Sequence, residues 1–345
     1  MVHDTCEVIS LIRAHYNGDL ITQAAWDRVE EVLNTLPTRW SYGFLECRLS
    51  SQKKDVDLLL NIRRDNLEWL HTPQLVEQSP LHFSKSSEIL HMWSDGLSAL
   101  ADCPAFWFEW DLPESMATQC ENQIPPPMIL TCLDPELCGD ETRRLSRSDK
   151  LRVMAESVSV TTGAQINHFD LERILNDVNV FDGIVKLCHI SSLQTRGLAQ
   201  IKLTYIINRH AILSWLEHIE WPGAMQQVED ILALLSDDIH KLAIQLHFGE
   251  SFSSYISIEL PLCDYANVRA ESEQLLTKLC DITQGDIERF SQMLDWSGVM
   301  EVVPEGKRWP IRVERTSYCK AVLSDADSQI EVKGYLGFHS RAASF

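Results

Sequence analysis

Tyr255-Ile256-Ser257-Ile258-Glu259-Leu260 alternates between two kinds of side chain. In a strand successive side chains point to opposite faces, so Ile256, Ile258 and Leu260 share one face and Tyr255, Ser257 and Glu259 the other. A sheet covered by helices turns its aliphatic face toward them and leaves the polar, aromatic face for the opposite side. Ile201-Lys202-Leu203-Thr204 divides in the same way. Paired segments of this character fall near 41–63, 105–133, 183–207, 241–262 and 309–338, with longer stretches of helical spacing near 5–36, 66–101, 146–178, 209–236 and 266–297. The chain thus reads as five helix-plus-hairpin units in one domain, 1–345. The predicted class is α+β: a ten-stranded antiparallel β-barrel surrounded by helices. Closure removes the sheet edges and encloses a lumen, which the polar face then lines.

The helical stretches carry apolar stripes: Ile89, Leu90, Trp93, Leu97, Leu100; Ile212, Leu213, Leu216, Ile219; Val228, Ile231, Leu232, Leu235; and Leu275, Leu276, Leu279, Ile282. Such stripes pack a helix onto a core. Pro222-Gly223 predicts a break in 209–236. Pro125-Pro126-Pro127 falls inside a hairpin as a loop end, and Asp134 to Ser148, with Gly139, Asp140 and Arg143-Arg144, is the best loop. No low-complexity tract or linker divides the chain.

The formal net charge of -20 argues against nucleic acid or an anionic membrane as partner, because both reward positive surface. No apolar run approaches the ~20 residues of a membrane span. The ten cysteines show no C-x-x-C and no zinc spacing with histidine. Met1 to Asp19 carries His3, Asp4, Glu7, Arg13 and His15 in place of a signal-peptide core. A reduced, cytoplasmic protein is expected.

Inward parity gives a lumen inventory. The first hairpin supplies Tyr42, Phe44, Glu46, Arg48, Asn61 and Arg63, and the second Trp107, Glu109 and Asp111. The third supplies Lys186, Lys202 and Thr204, the fourth Gln245, His247, Tyr255, Ser257 and Glu259, and the fifth Arg312, Glu314, Lys333 and Tyr335. Arg48, Arg63, Lys186, Lys202, Arg312 and Lys333, with His247 as a donor, form a cationic group. Like charges facing one cavity need an anion or interleaved acids. A diphosphate suits forked arginine donors and point-charged lysines. Pairing with Glu46, Glu109, Glu259 and Glu314 across strands is the alternative. Tyr42, Phe44, Trp107, Tyr255 and Tyr335 form an aromatic group, fit either to stabilise a carbocation or simply to pack the barrel. Glu109, in the aromatic run Phe106-Trp107-Phe108-Glu109-Trp110, is the acid best placed to orient and deprotonate an acceptor, or else a buried ion-pair partner. P-loop, dinucleotide-binding, D-D-x-x-D, nucleophile-elbow and H-E-x-x-H motifs are missing.

Five helix-hairpin units closing a ten-stranded barrel resemble the ABBA aromatic prenyltransferases, the prenyltransferase-barrel family. The resemblance implies that Lys-x-Tyr pairs bind diphosphate through lysine and shield an allyl cation through tyrosine. Lys333-Gly334-Tyr335 matches such a pair, whereas Lys202 is followed by Thr204 and Lys186 by Cys188, with Tyr205 out of phase. It also implies an early-strand glutamate that binds an indole N–H, a place for Glu109 or Glu46. The expected activity is transfer of a prenyl group from an allylic diphosphate to an aromatic or peptide acceptor inside the barrel. Lys202, Lys333, Arg48 and Arg312 would hold the diphosphate, Tyr335 and Trp107 would shield the cation, and Glu109 would serve the acceptor. No cofactor is required by these residues, although Mg2+ is compatible with them. Fold does not fix chemistry. Lumen carboxylates running acid–base chemistry on a cationic or peptide substrate, and a non-catalytic ligand-binding barrel, are the alternatives.

Overall fold

The computed structural model describes residues 5–342 except 17, 37–39, 41, 52, 65–83, 114–123, 139–144, 164–167, 263–268, 304–307, 309 and 325–328. Helices α1 (Thr5–His15) and α2 (Gln23–Asn34) lead into β1 (Tyr42–Arg48) and β2 (Val56–Arg63). Helix α3 (Ser84–Asp95) precedes β3 (Ala105–Leu112) and β4 (Met128–Cys132). Helices α4 (Arg147–Thr162) and α5 (His168–Val180) precede β5 (Val185–Ser192) and β6 (Ile201–Asn208). Helices α6 (Ile212–His218) and α7 (Met225–Ala233) precede β7 (Lys241–Phe248) and β8 (Phe252–Pro261). Helices α8 (Arg269–Thr283) and α9 (Ile287–Leu294) precede β9 (Gly298–Val302), β10 (Ile311–Leu323) and β11 (Glu331–Ala342).

Ten strands close in the order β1 to β8, then β10 and β11, and β11 returns to β1. Every pairing is antiparallel, and closure is set by Glu46 opposite Tyr335 and Arg48 opposite Lys333. The α+β barrel is the architecture expected of the alternating segments, with nine helices among the described residues. None of these helices is long and apolar enough to cross a membrane.

The core lies between barrel and helices. Leu58, Leu60, Ile62, Phe106, Phe108, Trp110, Ile256, Ile258 and Leu260 are buried on the outer face of their strands. Tyr205 shares that face and meets Trp215 edge-on at 4.7 Å. Burying one such side chain contributes about 1.5–3 kcal/mol, and the inner, polar face contributes far less. The parity of every strand is therefore fixed by its outer residues.

Most helical stretches hold two helices. Thr22 caps α2 by accepting from the Ala25 N–H, and Ser146 caps α4 by accepting from that of Asp149. Helix α6 ends before Pro222-Gly223, where the break was expected. Two stripe residues depart from expectation. Gly96 takes a φ of +74° at the end of α3, so Leu97 falls outside the helix and is 90% exposed. Ile282, in the last turn of α8, is 45% exposed. Residues 66–83 of the second stretch, with Gly139, Asp140 and Arg143-Arg144, lie outside the described residues.

Strand β9 was not expected. It pairs only with the first half of β10, Ile311–Arg315, outside the ring. Its alternation is weak, and Val299 is 54% exposed. A second irregularity is the bulge in β5 between Leu187 and His189. The extra residue lets both Cys188 and His189 reach the lumen.

Candidate functional site

The lumen holds a cavity of about 370 Å³, and strands around the barrel contribute to its wall. Trp107, Glu109, Arg63, Lys202, Glu259 and Tyr335 line it, as do Tyr42, Phe44, Asn61, Thr204 and Gln245. Two tiers differ in chemistry.

The charged tier sits where β1 closes on β11. Glu46 accepts from Arg48 Nη1 and from Lys333 Nζ, both at 2.8 Å, and lies 3.8 Å from Lys320. Arg48 also donates to Asp57 at 2.6 Å. Across the lumen, Glu109 accepts from Lys202 at 3.0 Å and from Arg196 at 2.5 Å. Arg196 binds Asp111 as well, at 2.5 Å. Five cations (Arg48, Arg196, Lys202, Lys320, Lys333) thus ion-pair with five acids (Glu46, Asp57, Glu109, Asp111, Glu331), and Glu259 stands beside them.

The acids are unlike one another. Burial pushes Glu46 up, but Lys333, Lys320 and Arg48 overcome it and hold the carboxyl well below the usual range. Burial likewise opposes Lys202 and Arg196 at Glu109, and the two cations win, leaving its carboxyl at about 2. Asp57 goes the other way: burial and the facing Glu46 carry it to about 8 despite Arg48. Burial also raises Glu259, with Lys320 and Lys202 offsetting it only in part. Its one hydrogen bond is from Gln245 Nε2 at 3.2 Å, and no cation among the described residues ion-pairs with it.

The aromatic tier adjoins the charged one. Tyr318 stacks on Tyr335 at 4.5 Å, their Cα atoms opposite each other across β10–β11. Phe44 stacks on Trp107 at 5.6 Å and meets Tyr318 edge-on at 5.3 Å. Lys320, opposite Lys333, donates to the Tyr335 hydroxyl and to Gln245 Oε1. Burial lowers the Lys320 ammonium below its ordinary range, with Glu46 and Glu259 partly offsetting this.

The structure brings Arg48, Lys202, Lys333, His247, Tyr255, Glu259 and Glu109 to the charged half, and Trp107 and Tyr335 to the aromatic tier. His247 stacks on Tyr255 at 3.7 Å, and its Nε2 is buried without a hydrogen-bond partner. Burial, then Lys202 and Arg196, hold this imidazole neutral by lowering it to about 3. Two expected cations are elsewhere. Arg312 lies on the part of β10 that pairs with β9; it is exposed and sits 3.3 Å from Glu314. It keeps the inward parity, but its strand has already run past the ring. Lys186 is at the opposite end of the barrel, clamped by Asp134 at 2.7 Å and Glu136 at 2.6 Å. Arg63 lines the cavity toward that same end, away from the charged tier.

Sequence reasoning did not find Tyr318, Lys320, Asp57, Arg196 or His189. The first two continue the parity of Arg312 and Glu314, and Asp57 that of Asn61 and Arg63. Arg196 stands on a short 3-10 turn between β5 and β6, where no alternation exists. His189 is moved into phase by the bulge.

No group of three or more His, Cys, Asp or Glu among the described residues is placed to hold a metal ion. Of the acids lining the cavity, Glu109 is held by Lys202 and Arg196, and Glu259 accepts from Gln245. No protein-family model matches the chain, and no curated protein matches it.

Proposed function

We propose that the barrel is a prenyltransferase that moves a prenyl group from an allylic diphosphate to an aromatic or peptide acceptor within the lumen. The observation that carries this reading is the pair of tiers across β10–β11: Lys320 beside Lys333, and Tyr318 stacked on Tyr335. Read in opposite chain directions, Tyr318-Cys319-Lys320 and Lys333-Gly334-Tyr335 present the same lysine-tyrosine step twice.

The diphosphate enters the charged tier by replacing Glu46 and Glu109 as partner of Lys333, Lys320 and Lys202. Asp57, shifted toward its protonated form, leaves the tier short of negative charge and favours this exchange. The allylic C–O bond breaks with its electron pair leaving on the diphosphate. Tyr318, Tyr335, Phe44 and Trp107 face the resulting cation, whose charge their ring quadrupoles stabilise. Acceptor electrons form the new bond, and the acceptor proton passes to a carboxylate. Glu259 is better suited to take it than Glu109, whose oxygens are held by two cations and whose pKa of about 2 makes it a feeble base.

Titration calorimetry with dimethylallyl, geranyl and farnesyl diphosphate and with inorganic diphosphate tests the reading. Binding of at least one prenyl diphosphate is expected, weakened by roughly 1.5–3 kcal/mol in Lys320→Ala or Lys333→Ala. Silence from all four ligands would remove the transferase reading. A second reading has its own support, since every cation of the charged tier already lies within 4 Å of an acid. On that reading Glu259 and Asp57 run acid–base chemistry on a cationic or peptide substrate. Tighter binding of a cationic peptide than of any diphosphate would favour it.

A further inference from the structure

Arg63 differs from every other cation of the lumen. Arg48, Lys333 and Lys320 share Glu46, Lys202 and Arg196 share Glu109, and Lys186 is held by Asp134 and Glu136. Among the described residues no carboxylate pairs with Arg63, and its Nε is buried without a hydrogen-bond partner. Its side chain lines the cavity. Arg63 is half-buried, so an anion reaching it through the cavity meets a guanidinium that no carboxylate among the described residues neutralises.

Its position defines which part of a ligand it meets. Asp57, near the start of β2, faces Glu46 in the charged tier, and Arg63 is the last residue of the same strand. Six residues at about 3.3 Å each put the two Cα atoms roughly 20 Å apart. The aromatic tier lies between. His189 and Thr204, paired across β5–β6, line the cavity with Arg63 and offer further donors. Burial and then Lys202 lower His189 to about 4, so it stands there as a neutral imidazole.

We infer that Arg63 is the anchor of a second anion subsite, remote from the charged tier, that takes a carboxylate carried by an aromatic ligand. A carboxylate matches one guanidinium in charge and in forked geometry. A phosphoryl group would bring about two negative charges to one cation. The inference rests on the proposed transfer reaction only in making that ligand the acceptor.

The test compares 3-phenylpropionate with 3-phenylpropanamide, nearly equal in shape and different in charge, by calorimetry on the full chain. The acid should bind at least about tenfold more tightly than the amide, as a charge-assisted hydrogen bond allows. Arg63→Gln should bring the ratio close to one, Arg63→Lys should keep part of it, and Arg312→Ala should leave it unchanged. Arg63→Gln should melt close to the wild type in the absence of anions, since among the described residues it breaks no ion pair. If it fails to fold, the ratio in Arg63→Lys decides, and a ratio equal to that of the wild type counts against the subsite. Equal binding of acid and amide, binding of neither, or a preference that survives in Arg63→Gln overturns the inference. So does loss of inorganic diphosphate binding in Arg63→Gln, which would make Arg63 part of the diphosphate site. Prenyl diphosphates measured on the same samples separate the two ideas. If they do not bind while the acid preference holds, the transfer reading fails and the subsite stands.

Discussion

Glu109 is the shared anion of Lys202 and Arg196, and its replacement by glutamine would leave Lys202, 4% exposed at the side chain, with no carboxylate partner. Breaking a buried pair from one side costs roughly 3–5 kcal/mol. Urea denaturation at pH 7 should therefore show Glu109→Gln as strongly destabilised, and a loss below about 1 kcal/mol would mean that Lys202 finds water. His247 makes the opposite kind of demand, since it is stable only while neutral. Its folded pKa, about 3, lies below the value near 6.5 of an unfolded histidine. The folded state binds fewer protons, so this stability is complete above pH ~6.5 and is lost as pH falls toward about 3. Melting temperatures of His247→Phe should fall less steeply than those of wild type between about pH 6.5 and about pH 4. Parallel curves would place the acid sensitivity elsewhere. At this scale the sequence was legible wherever alternation ran unbroken. Glu109, Lys202, Lys333 and Tyr335 followed from parity, and Tyr318 and Lys320 were open to the same reading. Partnership was not legible, because Arg196 reaches Glu109 from a turn 87 positions away in the chain.

Whole strands were readable because their outer faces are uniformly apolar, and a strand with only one buried neighbour carries little of that signal. Strand β9 is the example. Its single ladder is to β10, and Val299 is exposed. Hydrogen exchange should find its amides opening well before those of β10 from Tyr318 to Val322, which pair with both β8 and β11. Equal protection would show the outer edge of β9 to be covered. The inner face has a different constraint. A methyl group on Gly337 of β11 would come within 2.5 Å of Thr316 Oγ1 and 2.7 Å of both Phe44 and the Tyr42 hydroxyl. Tyr42 and Thr316 are already joined at 2.7 Å, and Trp296 donates to the Gly337 carbonyl at 2.9 Å, so neither side is free to yield. Gly337→Ala should cost about 1–3 kcal/mol by overpacking. It should also disturb the aromatic tier, read as a change in near-ultraviolet circular dichroism. A variant as stable as wild type with an unchanged spectrum would mean that the tier is loosely packed. Strand alternation cannot reveal this glycine's role, because the clash involves three strands brought together only by closure.

At the scale of the molecule, charge separates two effects that act on any anionic ligand. The chain carries a formal net charge of -20. The cations that would bind a diphosphate are buried and matched by acids, so they project little field beyond the barrel. An approaching anion therefore meets the repulsion of the whole surface before it meets Lys320 or Lys333. Salt screens the long-range part over about 10 Å at 0.1 M and acts much less on buried groups. Association of inorganic diphosphate, followed by stopped-flow tryptophan fluorescence through Trp107, should consequently speed up as NaCl rises from about 10 to about 150 mM, as expected when a field of like sign opposes encounter. Dissociation should change less over the same range. An association rate that falls with salt would show that the charged tier does steer anions from outside. In that case Glu46 and Glu109 neutralise it less completely than their contacts with Lys333, Lys202 and Arg196 imply.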